Sequence, residues 1–97
     1  MWTLNDALPL IRKIEPIAKR HGFSLALYGS VLYRGESEKD LDLFFVEQEP
    51  DICDVERCLG EISTLSEIRH ISPHGNVCVI RLKDQRHVDV RFCGCSP

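Results

Sequence analysis

Asp40 and Asp42, separated by one leucine, are the residues whose types and spacing most directly imply chemistry. Side chains alternate along a strand, so both carboxylates share one face while Leu41, Leu43 and Phe45 take the other. Adjacent acids repel unless a positive charge lies between them, and Mg²⁺ suits such a pair because it completes its shell with phosphate and water. Upstream, Leu27-Tyr28-Gly29-Ser30 reads as a strand running into a Gly-Ser turn, with nine residues between Ser30 and Asp40. Such a turn offers backbone N–H groups and a hydroxyl where phosphates would lie. A third acid, Asp89, stands between Val88 and Val90, where an unpartnered carboxylate is costly. If its strand neighbours that of Asp40 and Asp42, three carboxylates converge. The combination implies metal-assisted chemistry on a nucleotide.

These residues resemble the nucleotidyltransferase fold of the DNA polymerase β superfamily. Its hallmark is an apolar residue, Gly, Gly or Ser, a spacer, then Asp-apolar-Asp-apolar, with a third acid between apolar residues on a neighbouring strand. At 97 residues the chain is most similar to the minimal nucleotidyltransferases, small stand-alone domains. Some of these pair with HEPN-type helical toxins and modify them with nucleotides. The resemblance implies that Asp40, Asp42 and Asp89 are catalytic and hold two Mg²⁺ ions, Mn²⁺ being the substitute. It implies that Gly29, Ser30 and Arg34 bind the nucleotide, with ATP as the first candidate. Arg34-Gly35 is separated from Ser30 by three residues, where small relatives often leave two. The implied reaction moves a nucleotide from an NTP to an acceptor hydroxyl on a protein or small molecule. The alternative is a nucleotide-binding, antitoxin-like module with little turnover of its own. The partner implied is a HEPN-like helical protein or a second copy of the chain.

Composition narrows the classes. The length indicates one domain over residues 1–97, burying roughly 60–65% of its unfolded surface. A hydrophobic share of 43% is enough for a core and argues against disorder. With 12 basic against 15 acidic residues the net charge is −3, the wrong sign for gripping a nucleic-acid backbone. Asn5 and Asp6 stand where a secretory leader would be apolar, so the five cysteines read as reduced thiols in a cytoplasmic protein. No apolar run approaches the ~20 residues that span a bilayer.

The elements that must position the acids follow from periodicity. Leu4, Leu8, Ile11, Ile14, Ile17 and Ala18 recur at helical spacing up to Gly22, with Pro9 expected in the first turn and Pro16 as a kink. Phe23 to Tyr28 reads as a strand, Ser30 to Tyr33 as a short helix and Gly35 to Lys39 as a polar loop. Leu41 to Val46 reads as an interior strand. Pro50 and Asp51 open a second helix, with Asp51 as N-cap and Ile52, Val55, Leu59 and Ile62 as its buried stripe. Ile68 to Ser72, Asn76 to Leu82 and His87 to Phe92 read as an antiparallel meander turning at Pro73-His74-Gly75 and Lys83-Asp84-Gln85-Arg86. The fold class is α/β (α+β): a mixed, partly antiparallel sheet with helices mainly on one face.

Other residues read blandly. Cys53, Cys58 and Cys78 sit in amphipathic elements as small core residues, and His70, His74, Cys78, His87, Cys93 and Cys95 match no familiar zinc spacing. His21 reads as a helix C-terminal charge partner, and Lys39 as a solvated residue.

Overall fold

Alternation along β4 (Asp40–Glu47) builds the centre of the molecule, because every second residue from Leu41 to Phe45 is fully buried. In the computed structural model, which describes residues 2–29, 34–37 and 40–93, β4 is an interior strand. It pairs antiparallel with β2 (Phe23–Tyr28) and parallel with β7 (His87–Cys93). Beyond β7 the meander continues antiparallel through β6 (Val77–Leu82) to β5 (Ile68–His74), giving a five-stranded mixed sheet of order β2-β4-β7-β6-β5. A two-residue strand β1 (Trp2–Thr3) pairs separately with β3 (Glu36–Ser37).

Two helices cover one face of the sheet. Ala7, Leu10, Ile14, Ile17 and Ala18 of α1 (Leu4–Arg20), with Cys58 and Ile62 of α2 (Val55–Ile62), join Leu41, Leu43, Phe45, Val88 and Val90 in one buried cluster. Phe23, Phe45 and Phe92 meet there at ring-centroid separations of 4.9 to 6.1 Å, within the range for favourable edge and tilted contacts. The opposite face carries the other half of the alternation, and no described element lies across it.

Several expectations are corrected. Thr3 caps α1 in a capping box with Asp6, so Pro9 falls beyond the first turn, and the helix runs through both prolines. Gly22, at φ +82°, ends it. The supposed loop at Gly35 to Lys39 contains β3, whose partner β1 precedes α1. The second helix does not start at Asp51: Pro50–Ile52 forms a 3₁₀ turn, and α2 begins after Asp54, whose carboxylate accepts from Arg57 N–H. Ile52 is therefore exposed rather than part of the buried stripe. β5 extends through Pro73 to His74, as an edge strand permits. The expected helix at Ser30 to Tyr33 lies outside the described residues.

Candidate active site

The parallel ladder between β4 and β7 brings the acids together. Asp42 stands directly opposite Asp89, and Asp40 directly opposite His87. Because the register is in step, Asp40, Asp42 and Asp89 occupy the open face while Leu41, Leu43, Val88 and Val90 point to the helices. Across β2, Tyr28 is the partner of Asp42, so Gly29 follows at the edge of the same carboxylate.

Gly29 has a specific physical reason to be glycine. Its φ is +79°, a left-handed conformation that L side chains rarely adopt. A Cβ there would also stand 2.5 Å from Asp42 Oδ2. The turn therefore comes close to the acid row at Gly29. Ser30 lies outside the described residues. Arg34 is exposed on the segment entering β3, where the neighbouring Gly35 carbonyl accepts the Leu4 N–H at 2.9 Å.

The electrostatics of the acids are those of crowded like charges. Burial pushes Asp42 above its ordinary pKa, and the charge of Asp40 adds to the shift. Asp89 is pushed up to about 6, first by burial, then by the charge of Asp40 and a hydrogen bond with it, then by Asp42. Each added negative charge makes the next ionisation harder, and a cation would reverse that. Among the described residues no group of three His, Cys, Asp or Glu side chains is arranged so that it could hold a metal ion. The aspartates share a face as half-buried, hard-oxygen donors, which fits a cation such as Mg²⁺ that keeps several waters and enters on few carboxylates.

Residues that pattern reading missed frame the acids. Tyr28 stacks on Phe44, with centroids 4.0 Å apart and planes at 17°, and Arg91 donates to the Tyr28 hydroxyl. On the other side His87 Nδ1 lies 3.7 Å from Asp40 Oδ1, and Arg81 Nη1 lies 2.9 Å from His87 Nε2. Trp2, fully buried, donates its indole N–H to the His87 carbonyl at 2.8 Å, with the Arg86 guanidinium 4.0 Å from the ring centroid. The available signal was alternation: Arg91 shares the face of Asp89, and Arg81 is two strand residues beyond Val79, the cross-strand partner of Asp89.

A similar fold occurs in a solved structure. A cytoplasmic RNA terminal U-transferase matches with a TM-score of 0.60 at 18% identity, over 94% of this chain. The two share a fold. This chain spans 28% of that protein's length. Neither a family model nor a curated protein matches the sequence. The mixed α+β architecture expected from the motifs is therefore present, with a nucleotidyltransferase among its structural neighbours. Among the described residues, no helix is long and apolar enough to cross a membrane.

Proposed function

We propose that the chain is a minimal nucleotidyltransferase that moves a nucleotide from an NTP, with ATP as the first donor to test, to an acceptor hydroxyl. One observation carries this reading: Asp42 and Asp89 face each other on adjacent parallel strands, with Asp40 beside them and Gly29 pressed against Asp42. Asp40, Asp42 and Asp89 would hold the metal. Two Mg²⁺ ions, when bound, would activate the acceptor hydroxyl and stabilise the departing pyrophosphate.

The protein's own work is positioning and proton handling. The acceptor oxygen bonds to the α-phosphorus as the bond from that phosphorus to the bridging oxygen of the β-phosphate breaks. Pyrophosphate leaves with that electron pair, and the hydroxyl proton passes to Asp89. Gly29, lacking a side chain, leaves the approach to Asp42 open for phosphates, and Ser30 and Arg34 would complete the nucleotide contacts.

The acceptor reaches the acids across the open sheet face, so a second protein, HEPN-like and helical, or a second copy would present it. The RNA acceptor of the structural neighbour is not carried over, because a net charge of −3 disfavours a gripped polynucleotide. Free thiols at Cys53, Cys58, Cys78 and Cys93 accord with a cytoplasmic setting.

The test is incubation of α-labelled NTPs and Mg²⁺ with the protein alone, with primer-template and with lysate from its native cell. Label on a discrete protein or small molecule, lost in Asp40→Ala, is the expected result. Efficient primer extension would overturn the acceptor assignment, and no Asp40-dependent label in any arm would overturn the transfer activity.

A further inference from the structure

The polar residues bordering Asp40 form a chain that the reaction above does not use. Arg81 and His87 are cross-strand partners on β6 and β7, flanking the turn that joins those strands. Arg81 Nη1 lies 2.9 Å from His87 Nε2. Arginine has donors only and does not lose its proton, so the nitrogen it meets must offer a lone pair. The ring is then neutral, and its proton resides on Nδ1. That nitrogen faces Asp40 Oδ1 at 3.7 Å.

We propose that Arg81 and His87 are positioning residues: Arg81 holds the His87 ring as the Nδ1–H tautomer, and that N–H orients the Asp40 carboxylate. The inference rests on the proposed cation-binding role of Asp40. At 3.7 Å the His87–Asp40 contact is longer than a direct hydrogen bond. Contacts of this kind often tighten only when a site is loaded.

The frame around the ring supports an orienting role. The His87 carbonyl accepts the indole N–H of the fully buried Trp2, so the backbone carrying the ring is tied to the first residues of the fold. Arg86 lies over that indole and pairs with Asp84, closing the turn between the two strands. The neighbouring carboxylates Asp42 and Asp89 have no comparable N–H partner among the described side-chain contacts. Among the described contacts, Asp40 is thus the acid of the three with a side-chain N–H facing it. In known metal sites such outer partners change affinity by about 10–100-fold when removed.

The experiment reads the ring and the cation separately in the full chain. Nitrogen-15 correlation spectra of the metal-free protein give the His87 tautomer, assigned by comparison with His87→Asn. The wild type should show Nδ1–H, and Arg81→Met should shift the ring towards Nε2–H. Mn²⁺ titration, read by water-proton relaxation, should weaken about tenfold or more in Arg81→Met and His87→Leu. His87→Asn, whose amide N–H can stand in for Nδ1–H, should retain most of the affinity. An Nε2–H ring in the wild type, an unchanged ring in Arg81→Met, or equal Mn²⁺ affinity in wild type and His87→Leu would overturn the inference. Absence of Mn²⁺ binding by the wild type would instead overturn the proposed function, with the ring spectra still deciding whether Arg81 sets the tautomer.

Discussion

The two faces of the β4–β7 strand pair are one residue apart in sequence and opposite in what they do for stability. On the helix-covered face Leu41, Leu43, Phe45, Val88 and Val90 are each 0% exposed. On the open face Asp40, Asp42 and Asp89 crowd their charges, and Asp42 and Asp89 resist ionisation. The covered face holds the strands in register, and that same register compels the acids to be neighbours. A substitution on one face should therefore weaken the fold, while a neutral substitution on the other should spare the fold and remove the proposed cation binding.

Breaking the covered face gives the largest expected effect. Phe45→Ala should cost about 3–5 kcal/mol, because Phe45 packs against Phe23 and Phe92 in the core. The midpoint of urea unfolding, followed by circular dichroism, measures it. A cost below about 1 kcal/mol would mean that the core does not depend on this ring.

Asp42→Asn sharpens the contrast from the other side. It removes one of the crowded charges, so the metal-free protein should be no less stable than the wild type. With Mg²⁺ and NTP at a hundred times the dissociation constant the wild type should gain about 2.7 kcal/mol, and the variant nothing. Thermal shifts with and without ligand are the measurement. Equal gains in both proteins would move the cation away from the acid row.

Gly29 lies between the two cases, since a substitution there strains the backbone and intrudes on the acids together. Gly29→Ala should cost about 1–2 kcal/mol for a left-handed alanine and displace the Asp42 carboxylate as well. Loss of stability with Mg²⁺ affinity intact would separate the turn from the site.

How much of this was legible in the sequence follows from the range of the forces involved. Alternation along Asp40-Leu41-Asp42-Leu43 and Val88-Asp89-Val90 is local, and it assigned each acid to a face correctly. A resemblance suggested that the strand of Asp89 neighbours that of Asp40 and Asp42; that β7 lies parallel to β4 and in step is a long-range fact that periodicity could not give. The N-terminus of α2 was misread because Asp51 and Asp54 are both competent caps. Pro50 opens a separate 3₁₀ turn that uses up the residues between them. The Thr3-Asp6 capping box was there to be read, whereas the reach of Trp2 to the His87 carbonyl spans 85 positions and left no local trace. His87 looked like a stray histidine until the β6–β7 register put Arg81 across from it.

The subtlest difference between the faces is a pH dependence. Asp89 binds its proton more tightly folded, at about 6, than at its ordinary value of 3.8. Between those values the folded state holds more protons than the unfolded chain, so stability falls as pH rises through that window. Asp42, also raised, acts in the same direction. Glu67 and Asp84 act oppositely at the acid end, since their hydrogen bonds with Lys13 and Arg86 hold them below their ordinary values of 4.5 and 3.8. Comparison with Asp89→Asn isolates the term of interest, because the variant retains all three of those groups. In chelator, the wild-type urea midpoint should fall relative to that of Asp89→Asn between pH 4 and pH 7. The difference should be modest because the carboxyl is only half-buried. Saturating Mg²⁺ should abolish the decline in the wild type by neutralising the charge that causes it. Parallel pH profiles for the two proteins in chelator would show that Asp89 ionises without strain, and the contrast between the faces would then rest on geometry alone.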